Sequence, residues 1–515
     1  MTAEAPVTHV PIPDAGGAYL EPLLGRRFTD EQLAVITAPL AGQLVVAGAG
    51  SGKTTVMAAR VVHAIAWHRL PPASILGLTF TNKAAGELAA QVRRVLQRLA
   101  AGHVIDVDPT IDDSPTVSTY HAFAAQLLAD HALRIGREPH ASLLTEAGRW
   151  QLAGRVVREA EGPFPHLPWT PSFVARYVLD LDAELSEHLV PVEDVRAVDA
   201  RLISQIEAVG APTHTLRDVA ASARRREQLL DLVEAYRARK RRAELVDFGD
   251  QIALAAEIAR SCPEVGVLAR AEHQLVLLDE YQDTGVAQRV LLCALFGAGH
   301  AVTAVGDPCQ SIYGWRGASV GNLLRFFEHF CPGQAGRPRQ LSTNFRSGAR
   351  LLALANTISE PLRTVRPAGR RPQVPVGPLR PPPGVPDNSE IRCALLPTAA
   401  DEAQWVANCV AAAVRDGSTP PGQVAVLCRR RADFPRLLDA LVSVGLPVEV
   451  VGLGGLLDVP EVADVVATLE VLVDPTANPA LIRLLTGPRW AIGPRDLAAL
   501  GRRAGRLAGG PEAEG

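Results

Sequence analysis

The stretch LVVAGAGSGKTT, residues 44–55, decides how the rest of the chain is read. Four apolar residues lead into three closely spaced glycines, Gly48, Gly50 and Gly52. A lysine follows, then an amphipathic stretch to about Trp67. That pattern is a buried strand, a tight loop and a helix. Glycines at such a loop let backbone N–H groups approach an anion, and the helix adds its positive N-terminal end. Read this way, Ala47, Gly48, Ala49, Gly50, Ser51 and Gly52 cradle phosphates. Lys53 reaches the β- and γ-phosphates of a nucleoside triphosphate, Thr54 ligates Mg²⁺, and Thr55 belongs to the same ATP-binding loop. The bland alternative is a glycine-rich turn. Lysine usage speaks against it: of 52 basic side chains only Lys53, Lys83 and Lys240 are lysine.

Working outward, ILGLTF (75–80) is a second buried strand, followed by a helix over 83–100. LVLLDEYQDT (275–284) is a third, and it delivers paired acids at its C-terminal end. Asp279 there suits Mg²⁺, and Glu280 suits orientation and deprotonation of an attacking water, which a phosphate loop alone does not supply. AVTAV (301–305) is a fourth. Strands alternating with helices predict an α/β fold with a parallel sheet. Between them, 124–245 loses strand character and reads as an all-helical insertion with a basic end, Arg224–Arg226 and Arg237–Arg242. A solvated helix face and a nucleic-acid patch are both open readings of that end. Residues 1–25 read as a loose tail, and 361–388 as a Pro/Gly-dense loop. A second α/β pattern follows, with strands at 391–396, 424–428 and 447–451 and helices at 401–415 and 433–445. Residues 459–515 read as helical before fraying.

The length, 515 residues, suggests about three domains. A net charge of −3 excludes a uniformly basic coat but not a local basic groove. Seven scattered cysteines without a CxxC pair read as reduced thiols and point to the cytoplasm. The sequence carries no long apolar span and no secretory signal pattern.

Taken together, the motifs make the chain resemble a superfamily 1 DNA helicase of the UvrD/Rep/PcrA type. They stand in that family's order: FTDEQ (28–32), AGAGSGKT (47–54), TFTNKAA (79–85), STYHAF (118–123), DFGD (247–250), DEYQDT (279–284), GDPCQSIYGWRGA (306–318) and STNFRS (342–347). The likeness covers about residues 26–500. It implies P-loop NTPase (RecA-like) motor domains with parallel sheets and all-helical insertion domains. A first motor domain, 1A, would comprise 26–123 and 246–336, with insertion 1B at 124–245. A partial second motor domain, 2A, would span 337–455, and 456–515 would begin a helical insertion 2B. Gln32 is similar to the glutamine that reads adenine, and Phe345 to the ring that stacks on it. Arg346 would act as an arginine finger from the second motor domain, and Gln310 would couple the γ-phosphate to the DNA groove. Single-stranded DNA would meet Phe80, Asn82, Lys83, Thr119, His121, Tyr313, Trp315 and Arg316, through stacking and phosphate contacts. The implied activity is an ATP- and Mg²⁺-dependent helicase or translocase of 3′-to-5′ polarity, acting on single strands and single-strand/duplex junctions in repair or recombination.

There are departures from the pattern. Thr55 stands where the family often has arginine, and Ala47 where the general loop has glycine. The family's later motifs, one of the T-x-H-x-x-K-G type, are not found, and no lysine follows Lys240. The chain is therefore expected to be a C-terminally truncated portion. GPRWAIGPRDLAAL (487–500) also resembles the actinobacterial helicase–nuclease subunits of the AdnAB type, which implies a helicase–nuclease partner. Two other readings stay open: an ATP- and DNA-binding subunit without motor activity of its own, and a P-loop ATPase unrelated to DNA.

Overall fold

The computed structural model describes residues 14–101, 114–334, 336–363, 376–387, 389–417, 419–451 and 460–507. They fall into two compact units, up to Ile391 and from Arg392.

The first unit is organised by a six-stranded parallel sheet. Its strands are β1 (Gln43–Ala47), β2 (Ile75–Thr79), β3 (Thr116–Thr119), β4 (Leu275–Leu278), β5 (Val302–Gly306) and β6 (Arg339–Leu341), in the order β3-β2-β4-β5-β1-β6. The central strands are buried along their whole length, as an all-parallel sheet covered by helices requires. Alternation divides them between two cores: Leu44, Val46, Leu76, Leu78, Val276 and Leu278 face one, and Val45, Ala47, Ile75, Leu275 and Leu277 face the other. Register aligns the strand ends. Thr79 pairs with Thr119, Leu78 with Leu278, Leu278 with Ala304, Val46 with Gly306 and Ala47 with Leu341. The motifs therefore leave one carboxyl edge side by side, which is where parallel sheets present their sites.

The helical insertion has its own core. It is built from the helices Glu146–Glu159, Pro171–His188, Val192–Glu207 and His214–Arg242, with Val178, Leu230, Val233 and Tyr236 fully buried. Its expected start at 124 lies too early. The Tyr120–His131 helix packs into the sheet's core through Ala124, Leu127 and Leu128.

One further expectation changes. Residues 1–13 lie outside the described residues, but 14–25 are no loose tail: Leu20–Leu24 is a short helix, with Tyr19, Leu20 and Leu23 buried against the sheet's second face. Arg339–Leu341, just past the boundary expected at 337, pairs with β1 and extends the first sheet. Of the expected loop 361–388, residues 364–375 lie outside the described residues. Arg380 bridges back to Thr343 beside the sheet.

The second unit holds the helices Ala399–Arg415, Phe434–Ser443, Pro460–Val473, Asn478–Thr486 and Pro494–Leu507. Ala403, Ala407 and Ala411 bury one stripe of the first, and Leu441 is buried on the helix packed against it. The strands expected at 391–396, 424–428 and 447–451 do not form a ladder among the described residues. Val424 is extended (φ −105°, ψ 132°). However, Leu395 and Leu427 are 99% and 94% exposed. An apolar run is a strand only when a neighbour takes its backbone hydrogen bonds.

Candidate nucleotide site and nucleic-acid face

The loop after β1 turns on Gly50 (φ 70°) and Gly52 (φ 83°), both in the left-handed region that glycine adopts at little cost. Ser51 Oγ donates to Gly48 O at 2.8 Å and stiffens the turn. The helix Lys53–Ala66 begins directly behind Gly52 with no side-chain cap, so its first N–H groups remain available to an anion. Thr54 lies exposed in that first turn. Lys53 Nζ donates to Glu280 Oε2 at 2.8 Å, joining the loop to the acids at the end of β4.

Those acids stand in a tense arrangement. Glu280 has φ 47° and ψ 41°, a left-handed conformation that costs a non-glycine residue and clusters at functional sites. Asp279 is buried beside it and accepts Glu280 N–H at 3.0 Å. Burial, then the Glu280 charge, pushes the Asp279 carboxyl up to about 6 against the pull of Lys53. The same two causes raise Asp283 to about 6. Gln282, which the sequence reading left without a role, connects this site to the next motif. Its Nε2 donates to Glu280 Oε2 at 2.8 Å, and its Oε1 accepts Asp307 N–H at 3.0 Å. Asp307 Oδ2 in turn accepts from Gln310 Nε2 at 2.6 Å. Gln310 is thus held on the Asp307 side of the site.

The segment after β6 is fastened to the loop. Phe345 N–H donates to Gly50 O at 2.8 Å, and buried Asn344 donates to Ala49 O. Asn344 Oδ1 accepts from the N–H groups of Arg346 and Ser347 at 2.8 and 2.7 Å. A Cβ on Gly50 would lie 2.8 Å from that of Arg346. Phe345 and Arg346 are exposed there. They are brought to the phosphate loop within the first unit. Asn344 went unnoticed, although it sits inside the quoted STNFRS motif. Gln32 also reaches the loop, but its amide is engaged by protein: Nε2 donates to Ser51 O at 3.0 Å, and Oε1 accepts Thr29 N–H in a capping box. Arg26 donates to Thr55 Oγ1 at 3.1 Å, so a guanidinium does stand beside the position where the family often has arginine.

Along the same edge, the expected DNA contacts divide. Tyr313 and Trp315 are 37% and 69% exposed, with ring centroids 6.5 Å apart. Asn82 and Lys83 are exposed at the start of the helix after β2, with Lys83 4.0 Å from Glu87. Phe80 is half-buried on the core, its ring 4.9 Å from Tyr120. Thr119 Oγ1 accepts Ala122 N–H and caps a helix. His121 stacks edge-on against Phe248 at 5.6 Å, and burial lowers its basicity. Phe248, 56% exposed, was not singled out by the sequence reading. The backbone of Arg316 lies in the turn, while its side chain is outside the described set.

Most of the insertion's basic end is engaged by protein groups, while Arg241 and Arg242 are exposed. Arg226 pairs with Asp199, Arg237 with Asp182, Arg224 with Glu207 and Arg239 with Glu159, while Arg225 lies over the Trp169 ring. Lys240, 3% exposed, is held by Asp182, Asp247 and Asp250 at 2.8 to 3.2 Å, and the charges of these three aspartates raise its basicity against the cost of burial.

A family model described as the UvrD/REP helicase N-terminal domain matches residues 28–331, and one for the UvrD-like helicase C-terminal domain matches 339–508. The chain belongs to the UvrD/REP helicase family. Its curated relatives include ATP-dependent DNA helicase PcrA of Leuconostoc citreum, 28% identical over 90% of this chain and 55% of that protein. DNA helicase II of Escherichia coli is 28% identical over 91% and 57%, and ATP-dependent DNA helicase UvrD1 of Mycobacterium leprae is 30% identical over 89% and 54%. The chain thus spans about half the length of these relatives. They support the broad family and not the narrower likeness to helicase–nuclease subunits. All seven cysteines are free thiols, and no described helix is long and apolar enough to cross a membrane.

Proposed function

We propose that the chain is the ATP-hydrolysing part of a DNA translocase. In this reading ATP lies with its phosphates on residues 47–54, and hydrolysis alters the grip on a single strand laid across Tyr313 and Trp315. The observation that carries it is the contact of Lys53 with Glu280, with Phe345 and Arg346 tied to the same loop. The donor set fits a triphosphate: two left-handed glycines, an uncapped helix start, a lysine and an exposed threonine. Thr54 and Asp279 would hold Mg²⁺, which neutralises charge developing on the phosphates. Burial and the Glu280 charge hold the Asp279 carboxyl up near 6, a direction that a cation at this position would reverse. ATP binding would draw Lys53 from Glu280 to the phosphates. Glu280, still held by Gln282, is then free to orient water, and Arg346 faces the transferred group. The path Glu280–Gln282–Asp307–Gln310 leads in hydrogen bonds from the acid that would orient water to a glutamine three residues before Tyr313. It offers a physical link between hydrolysis and DNA. Polarity of 3′ to 5′, action at duplex junctions, a cytoplasmic setting and a partner subunit belong to the same proposal by family likeness.

The test is ATP hydrolysis by the chain with and without oligo(dT). Hydrolysis raised severalfold by DNA supports the proposal. Hydrolysis indifferent to DNA makes the chain an ATPase unrelated to DNA. Binding of ATP and oligo(dT) with no hydrolysis makes it a binding subunit without motor activity.

A further inference from the structure

Glu187 is the last-turn carboxyl of the Pro171–His188 helix, which ends at Leu189 in a left-handed cap. It belongs to the insertion, yet its side chain lies among residues of two sheet-edge motifs. A Cβ placed on Gly285 would sit 1.5 Å from Glu187 Oε1, and one on Gly317 would sit 2.4 Å from its Cγ. Gly285 directly follows DEYQDT and is the N-cap residue of the Val286–Phe296 helix, where it has no side chain to offer. The Val286 N–H, the first of that helix, lies where it favours the Glu187 carboxylate. Gly317 closes the turn that carries Tyr313 and Trp315. The two motifs are already joined beside this point, because Asn322 Nδ2 donates to Thr284 O at 2.7 Å.

We propose that Glu187 is a positioning residue: it caps the Val286–Phe296 helix from the insertion and holds the aromatic turn 313–317 against the end of the DEYQDT motif. A helix start needs an acceptor for its first N–H groups, and when the cap residue is glycine the acceptor must come from elsewhere. The carboxyl fills the volume that both glycines leave open. Gly285 has φ −83° and ψ −179°, ordinary backbone, so steric room for Glu187 accounts for its glycine where conformation does not. Glu187 Oε1 is buried without a hydrogen-bond partner, an expense not explained by packing alone. Burial pushes the carboxyl up to about 7 against the Val286 N–H, and Glu184 adds to the rise. The importance of this contact for DNA rests on the function proposed above, but the contact itself does not.

Two measurements on the full chain test it: amide hydrogen exchange over 285–289 and 313–319, and anisotropy of labelled oligo(dT). Glu187→Ala should speed exchange in both segments by about tenfold, the loss of one cap. Glu187→Gln, which still accepts from Val286, should stay within about twofold of wild type. Gly285→Ala should resemble Glu187→Ala, yet add nothing further in the double variant, where the clashing carboxyl is gone. Unchanged exchange at 313–319 in Glu187→Ala overturns the proposal. So does Glu187→Gln behaving as Glu187→Ala, or a Gly285→Ala protein indistinguishable from wild type. Should Glu187→Ala fail to fold, Glu187→Gln and Gly285→Ala decide on the same criteria. Oligo(dT) affinity should fall about threefold or more in Glu187→Ala, as loss of a well-held stacking platform implies. Affinity unchanged beside faster exchange overturns the link to DNA. If wild type itself does not bind oligo(dT), the proposed function falls, and exchange still judges Glu187.

Discussion

Two of the three lysines meet carboxylates at nearly the same distance, and the surroundings make them opposites. Lys53 has one acid partner, Glu280, at 2.8 Å, with side-chain exposures of 13% and 35%. That carboxylate sits on strained backbone and is shared with Gln282. Lys240 has three acid partners and is 3% exposed. Two of its aspartates, Asp247 and Asp250, also form the capping box of the Phe248–Ser261 helix. A partly hydrated pair with one partner can exchange that partner for phosphate. A buried ammonium among three carboxylates cannot leave without stranding charge. Distance alone does not separate a site from a staple, whereas partner count and burial do.

The sharpest way to break this comparison is Lys53→Ala. If Lys53 meets the transferring phosphate as proposed, hydrolysis should fall by about 10³ or more. Stability should change by about 1 kcal/mol or less, as for partly exposed pairs. Turnover and urea unfolding measured together decide it, and retained turnover would refute the role given to Lys53. Lys240→Ala should show the reverse. It removes the buried charge shared by three aspartates, leaving Asp182 to Arg237 and Asp247 to Arg149 alone, and should cost about 3–5 kcal/mol in urea unfolding. An unchanged unfolding midpoint would show that Lys240 is dispensable and that the contrast is false.

The sequence made the sheet edge legible because its chemistry is local. GAGSGKTT, DEYQDT and QSIYGWRGA each place glycines, acids or rings within a few residues of a strand end, and periodicity marks the strand. What it could not show depends on contacts distant along the chain. Lys240 meets an aspartate 58 positions away, and Glu187 meets Gly285 and Gly317 from another subdomain. Asp247 and Asp250 follow Lys240 closely, but nothing nearby announces Asp182, Gly285 or Gly317. Gln282 and Asn344 lie inside quoted motifs, so residue type was visible, but the direction of their amides was not. Arg339–Leu341 reads as too short and too polar for a strand; pairing with β1 makes it one. The converse holds at 424–428, where a good apolar run lacks a described neighbour.

A smaller effect tests the exposed rings. Trp315→Ala should weaken oligo(dT) binding by about 1–3 kcal/mol, the range for one stacked base. Affinity for ATP should be unchanged, since the ring is in the turn and not at the phosphate loop. Equal oligo(dT) affinity for the variant and wild type would exclude Trp315 as a platform.

The smallest effect belongs to the arginine-rich end of the insertion, where charge density on its own suggests DNA. Arg239 and Arg224 each already have an acid partner, Glu159 and Glu207, at side-chain exposures between 36% and 60%. Such pairs contribute about 0–1 kcal/mol to stability. A phosphate would have to displace a carboxylate already in place, so its net gain is small. Arg224→Ala with Arg239→Ala should therefore leave both oligo(dT) affinity and its salt dependence as in wild type. Each arginine that did meet a phosphate would lower the salt slope by about 0.7 for a single strand. A slope reduced by more than one in the double variant would move this helix from the insertion's own frame to the DNA path. Absolute affinity alone would not make that distinction, because a small loss of structure also lowers it, whereas the slope counts only displaced counterions.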